Sequence, residues 1–252
     1  MNKPTFLSYE KPLLTVMVQA DNPDRIEELV NASVPEGAEA FGMQFENLKK
    51  EYRTKEGYKK LFGLAEPLPV YVTNYRYAEN EGKSDELLAD ELLELAECGA
   101  TLCDVMGDLF DPCKGELTMN ESAVSKQIEL IDQLHKRGAE VLMSSHVFEF
   151  TPAERVLEIA LEHQRRGADI CKIVTGADDM EQQIENLRII SLLKKHLSIP
   201  FLFLAGGECK IMRRLGGTVG CCMYLCVHEH DEHSTETQPL LKDVKAIREF
   251  FN

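Results

Sequence analysis

No apolar run in this chain approaches the roughly 20 residues that a membrane-spanning helix needs. Its first residues lack the pattern of a signal peptide, so the expected location is the cytoplasm. Positive charge is scarce: 28 Lys and Arg face 43 Asp and Glu, a formal net charge of -15. That balance argues against nucleic-acid partners and against an anionic membrane surface. It leaves room for a few arginines to focus a positive field inside a cleft. The eight cysteines form no CxxC pair and no regular spacing. They read as reduced thiols, several of them acting as small hydrophobes inside apolar runs. Repeats and low-complexity segments are missing too. No glycine-rich phosphate loop follows the first apolar strand, where Ala20-Asp-Asn-Pro23 stands instead. This counts against an open doubly wound nucleotide-binding sheet.

What is present is a strict alternation. Apolar, β-branched strands are expected at Leu13–Gln19, Ala38–Gln44, Pro69–Thr73, Thr101–Met106, Glu140–Ser145, Gly167–Val174, Ile199–Leu204 and Val219–Val227. Between them lie helical segments, among them Phe45–Lys60, the acidic Asp85–Glu97, Asn120–Arg137, one opened by a Thr151 cap with Pro152 at its first position, and Asp179–His196. Buried strands separated by helices mean parallel strands with helical crossovers. Eight such units in 252 residues match the size of an α/β (β/α)8 TIM barrel. One domain over 1–252 is expected, with residues 1–12 as an N-terminal arm.

The sixth strand, Gly167-Ala-Asp-Ile-Cys-Lys172-Ile-Val174, carries a lysine among apolar residues. Burying an ammonium costs several kcal/mol unless it is paired or neutral. The same burial is how an amine becomes nucleophilic enough to form a Schiff base. The plain alternative is a lysine whose stem lines the core while its head reaches water. Barrel active sites lie at the C-terminal ends of the strands, and reading those ends brings out Arg76, Asp104, His146, Lys172, Arg214 and Gln238. A histidine beside a buried lysine, with arginines around one mouth, suits imine chemistry on a small carboxylated ketone.

Several of these segments resemble type I 3-dehydroquinate dehydratases. Ser144-Ser-His-Val-Phe-Glu-Phe-Thr-Pro152 is similar to that family's Ser-x-His-Asp-Phe-x-x-Thr-Pro, and Gly167–Val174 to its lysine strand. Arg214-Leu-Gly-Gly217 resembles its Ser-Arg-Leu-Ala-Gly turn, and Ser234-Thr-Glu-Thr-Gln238 stands where it has Ser-Ala-Pro-Gly-Gln. Arg76 with Glu81-Gly82 resembles its Arg…Glu-Gly-Gly. The resemblance implies a hydro-lyase of the shikimate pathway that converts 3-dehydroquinate to 3-dehydroshikimate without metal or cofactor. It implies Lys172 as the imine-forming residue and His146 as the general acid/base. Arg214, Arg76, Ser234, Gln238 and Gln44 would bind substrate, and a homodimer is the assembly to test.

The chain departs from the family pattern in three places. The family's Glu-x-Arg on strand two aligns with Gly42-Met43-Gln44, and a strand-four glutamate aligns with Met106. The Ser-Ala-Pro-Gly-Gln loop has become polar and histidine-rich. The sequence names no group that would orient His146. The alternatives are a Schiff-base lyase or aldolase-like paralogue for another carboxylated ketone, or a non-catalytic binding barrel. Cys226-Val-His228-Glu-His230-Asp-Glu-His233 has the residue types of a transition-metal site but matches no recognised zinc spacing. It reads as a polar lid, with no metal expected. Gly206-Gly207 ahead of a short helix could receive a phosphate, although Glu208 sets a negative charge at the same point.

Overall fold

A computed structural model describes residues 4–8 and 10–251. Eight parallel strands form one sheet in the order β7-β6-β5-β4-β3-β2-β1-β8. The strands are β1 Leu13–Val18, β2 Ala40–Gln44, β3 Val70–Thr73, β4 Leu102–Met106, β5 Glu140–His146, β6 Ile170–Gly176, β7 Phe201–Gly206 and β8 Met223–Cys226. The helices that return the chain are α1 Pro23–Glu36, α2 Lys55–Ala65, α3 Asp85–Cys98, α4 Glu121–Lys136, α5 Ala153–Arg165, α6 Met180–His196, α7 Ile211–Val219 and α8 Leu241–Phe251. At the β7–β8 seam, Cys222 N–H donates to Phe201 O at 2.9 Å. The result is a nearly closed (β/α)8 barrel, the expected class.

Sequence signals account for most boundaries. Asn22 accepts from Arg25 N–H at 3.0 Å and Pro23 takes the first helical position, so α1 starts there. Ser84, Asn120 and Asp179 cap α3, α4 and α6 in the same way. Gly167, with φ +99°, makes the left-handed turn from α5 into β6 that a residue with a Cβ would resist.

Several boundaries shift by a few residues, and three departures have a clear local cause. The helix expected over Phe45–Lys60 forms only from Lys55, where the Thr54 side chain accepts from Gly57 N–H at 3.1 Å. Upstream, Phe45 and Leu48 are buried in the core, so that stretch is a turn fixed by packing. Thr151 does not cap α5. Its hydroxyl bonds Glu149 O, and Glu185 Oε1 accepts the Ala153 N–H at 2.9 Å in its place. Val219 belongs to α7, because the chain turns only at Gly220, where φ is +141°.

Alternate residues of each strand face inward. The inward face of β1–β3 is unusually full, because Gly42 leaves space that Met17 and Tyr71 occupy. A Cβ on Gly42 would lie 2.3 Å from Met17 Sδ and 3.1 Å from the Tyr71 ring. The expected arm spans residues 1–12, of which 1–3 and 9 lie outside the described residues. Phe6 is buried with Leu13, Leu102 and Leu142, and its N–H donates to Glu140 Oε2 at 2.8 Å.

Candidate active site

A cavity of about 470 Å³ opens where the strands end, and every strand or its following loop contributes to the wall. Apolar side chains such as Met17, Met106, Leu204 and Leu225 form much of it. Lys172, His146, Arg76, Arg213, Gln44 and Gln238 supply polar groups.

Lys172 does not reach for solvent. It is 5% exposed, and its ammonium ends inside the barrel. Nζ donates to Tyr75 Oη at 2.7 Å and Tyr71 Oη at 3.1 Å, and lies 3.3 Å from Asp104 Oδ2. Both phenols in turn donate to Asp104 Oδ2, and Ser144 Oγ donates to Oδ1 at 2.5 Å. Register explains the convergence. Lys172 pairs with Ser144 across β5–β6, and Asp104 points to the same inward face from β4. Burial, reinforced by the Asp104 charge, pushes both phenols well above their usual range, so each keeps its proton and can donate. All three ammonium hydrogens therefore have acceptors, which is what a buried charge requires.

His146 ends β5 and shares this face. Its Nδ1 lies 2.6 Å from Glu116 Oε2, which also accepts the His146 backbone N–H at 3.0 Å. With Nδ1 on the carboxylate, Nε2 is the nitrogen left for chemistry. The ring sits edge-on to Tyr75 at 5.2 Å and stacks with Phe148 at 5.7 Å. Glu116 is the candidate site residue that sequence reasoning missed. It lies in the loop between β4 and α4 and has the uncommon left-handed φ of +47°. The available signal was a carboxylate next to Gly115 in the long loop that follows a barrel strand.

Buried side chains hold that loop. Arg166 is fully buried and donates to Gly107 O at 2.9 Å, Thr118 O at 2.5 Å and Gln127 Oε1 at 2.6 Å. Ser145 Oγ donates to Glu116 O at 2.6 Å and lies 3.0 Å from His163 Nε2. Burial drives the His163 imidazole down to about 3, so it is neutral. Gly107 lets the loop come close, since a Cβ there would meet Glu116 O at 2.5 Å.

The predicted binding residues are placed unequally. Arg214 lies exposed on α7, and its neighbour Arg213 lines the cavity. Arg213 has no carboxylate partner among the described residues. Its Nε is buried without a hydrogen bond, and burial lowers the guanidinium to about 10. Arg76 is on the wall, but its guanidinium is committed to Asp85 and Asp108 at 2.8 Å each. Gln44 Oε1 accepts from Gln19 Nε2 at 2.8 Å, so its amide N–H groups remain for a ligand. Gln238 is oriented in the same way by Thr235 N–H at 2.9 Å. Ser234 is off the cavity wall, exchanging hydrogen bonds with Asp231 in a turn, and Thr235 stands on the wall. As at Arg213, the wall position is one residue away from the one the motif points to.

The lid histidines serve separate partners. His228 Nδ1 meets Glu36 Oε2 at 2.9 Å, while His230 Nε2 donates to Gln238 O at 2.8 Å. Among the described residues no three His, Cys, Asp or Glu side chains converge as a metal site would require. At Gly207 the Glu208 N–H is directed to Asp178 Oδ1 at 3.3 Å, so a carboxylate sits where a phosphate was considered.

Residues 14–251 match the family profile described as Type I 3-dehydroquinase. A 3-dehydroquinate dehydratase of Alkaliphilus oremlandii is 36% identical over 126 residues, 49% of each chain. One of Geobacillus thermodenitrificans is 25% identical over 193 residues, covering 75% of this chain and 70% of its own. The chain thus spans about half the length of the first of these relatives. The solved 3-dehydroquinate dehydratase of Geobacillus kaustophilus superposes with a TM-score of 0.80 at 16% identity, over 97% of this chain and 92% of that one. At that identity the likeness speaks for the barrel fold.

Proposed function

The chain belongs to the type I 3-dehydroquinase family, and on that premise we propose that it dehydrates 3-dehydroquinate to 3-dehydroshikimate through a Schiff base on Lys172. The observation that carries this reading is the pairing at the cavity mouth. A buried lysine amine and a histidine oriented by a carboxylate line one cavity. The amine condenses with the substrate ketone, and the resulting iminium draws electrons and makes the neighbouring C–H acidic. His146 Nε2 takes that proton and returns it to the departing hydroxyl, which leaves as water. Hydrolysis of the imine then releases product and restores Lys172.

Arg213, rather than Arg214, is the residue we assign to the substrate carboxylate. A partly buried guanidinium with a buried, unpartnered Nε is costly until an anion arrives, and a carboxylate can accept two of its N–H groups. Gln44 and Gln238 offer amide donors to hydroxyls or to the same carboxylate.

A second reading is favoured by Gly42, Gln44 and Met106. The wall lacks the charged residues expected on strands two and four, which fits a carboxylated ketone carrying fewer hydroxyls. One experiment addresses both readings: borohydride reduction with 3-dehydroquinate and a panel of other carboxylated ketones, followed by intact-mass analysis and peptide mapping. The proposal expects an adduct on Lys172 with 3-dehydroquinate. An adduct only with another ketone selects the second reading. No adduct with any of them leaves a binding barrel.

A further inference from the structure

Tyr75 is unaccounted for by the reaction as described. Its hydroxyl makes the shortest contact to Lys172 Nζ, 2.7 Å, and its other partner is Asp104 Oδ2. The direct path from Nζ to Oδ2 is longer, at 3.3 Å. Tyr71 also bridges the two groups, at 3.1 Å from Nζ, but it is fully buried beneath the site and is not on the cavity wall. Tyr75 alone of the two phenols touches the lysine, the carboxylate and the space where substrate must sit.

From this juxtaposition we infer that Tyr75 is a catalytic residue, whose hydroxyl relays protons between Lys172 Nζ and Asp104 during imine formation. The step rests on the Lys172 Schiff-base reading above. An ammonium has no lone pair and cannot attack a ketone. In the relay, one Nζ proton passes to Tyr75 Oη while the Oη proton passes to Asp104 Oδ2. Tyr75 is unchanged, Asp104 is now a neutral acid, and Lys172 is a free amine. The nitrogen lone pair forms the C–N bond as the carbonyl π pair moves onto oxygen. A nitrogen proton returns through Tyr75 to that oxygen and gives the carbinolamine. Asp104 then sends back the proton it holds, the hydroxyl leaves as water, and the iminium forms beside an ionised Asp104. Atoms and charge balance without any added reagent.

The high proton affinity of both phenols supports the relay, because a phenol that stays protonated can donate and accept in one motion. Other charged or titratable groups on the wall are Arg76 and Tyr77 after β3, Glu116 after β4, His146 at the end of β5, and Arg213 from α7. None of them is within hydrogen-bond reach of Nζ. The same side chain packs edge-on against the His146 ring at 5.2 Å, so a phenylalanine preserves that contact.

The test is the rate of borohydride-trappable adduct formation with 3-dehydroquinate, followed by rapid mixing and intact mass, in the unmodified protein, Tyr75→Phe and Tyr71→Phe. The relay predicts that Tyr75→Phe slows adduct formation by about 100-fold near neutral pH. It also predicts recovery as pH rises, when hydroxide removes the proton the phenol no longer carries. Tyr71→Phe, which removes two hydrogen bonds but not the cavity-facing relay, slows it less and without that recovery. An unchanged rate in Tyr75→Phe overturns the inference, since the direct path to Asp104 would then suffice. So does a loss that is equal at every pH, which marks a merely structural tyrosine. An unmodified protein that forms no adduct with 3-dehydroquinate or with any other ketone of the panel removes the Schiff-base reading and the relay together. Normal trapping there with an indifferent Tyr75→Phe removes the relay alone.

Discussion

Replacing Glu116 by glutamine isolates what the carboxylate does for His146. The change keeps size and shape and removes one negative charge 2.6 Å from Nδ1. Two effects follow. The amide can present its oxygen to Nδ1–H or turn its N–H₂ toward the ring and force the wrong tautomer. The imidazolium that forms when Nε2 takes the substrate proton also loses its counter-charge. Two unit charges about 4 Å apart interact by about 4 kcal/mol at an effective dielectric of about 20. Both side chains are partly exposed, 13% for His146 and 26% for Glu116, so screening reduces that figure. A hydrogen bond to a charged group contributes about 1.5–3 kcal/mol, which sets a working value of about 2–3 kcal/mol. At about 1.4 kcal/mol per factor of ten, kcat falls by about 30- to 150-fold. Because the Glu116 Oε2 on the wall is engaged by His146 Nδ1 and backbone N–H, KM stays within about twofold. Adduct on Lys172 still forms under borohydride. The assay is steady-state dehydration of 3-dehydroquinate, followed by absorbance of the conjugated product. A Glu116→Gln enzyme with the parent kcat, or one that loses KM and keeps kcat, refutes the assignment.

Two further outcomes test the rest of the site. Arg213→Met lowers kcat/KM by about 30- to 1,000-fold, the scale of a charged hydrogen-bonded pair lost with one partner, whereas Arg214→Met on the exposed face of α7 changes it by less than about threefold. The same Arg213→Met variant unfolds at equal or higher denaturant than the parent, because a partly buried cation with an unpartnered Nε has been removed. His163 sets a pH dependence of stability. Its folded value of about 3 lies below the ordinary 6.5 of an imidazole, so the unfolded chain takes up the proton first as pH falls. The contribution is complete above pH 6.5 and is lost progressively toward pH 3. Denaturant titrations at about pH 7 and about pH 5 should differ by about 2 kcal/mol from this residue alone, and His163→Gln should remove that difference. An unchanged slope in the variant would show that the imidazole is not held neutral in the fold.

The barrel was legible because periodic signals carry it. Eight apolar runs separated by capped helices leave few other arrangements, and the boundaries that moved did so where packing outweighed pattern, as at Phe45 and Leu48. Lys172, His146, Gln44 and Gln238 were legible because strand ends and loop motifs fix where they point. Arg213 was not, because α7 begins just after a turn. A one-residue change in phase there rotates each side chain by about 100° and exchanges the wall position with its neighbour. Glu116 was illegible for a different reason. Its approach to His146 depends on a left-handed residue in an irregular loop and on contacts from Arg166, Ser145 and Gly107, which come together only in three dimensions.

The departures from the family pattern are linked by contact, and this bears on whether the site has decayed or been rebuilt. Gly42 stands where a glutamate is expected, and its missing side chain is the space taken by Met17 and Tyr71. Tyr71 fills that space and places its hydroxyl between Asp104 and Lys172. Tyr75 completes the arrangement, so the residues around the lost glutamate converge on the lysine amine. At the other side, the expected strand-four glutamate is Met106, a wall residue, and a carboxylate reaches His146 from the loop that follows the same strand. Random loss would leave buried polar groups without partners near the lysine. Instead the ammonium, the carboxylate and both phenols are fully hydrogen-bonded, and the unpartnered cation on the wall is the one suited to a substrate carboxylate. A cage of this kind has no purpose in a barrel that only binds, because neutral side chains would hold a ligand at lower cost than a buried lysine and aspartate. The contacts therefore favour a working amine over a relic.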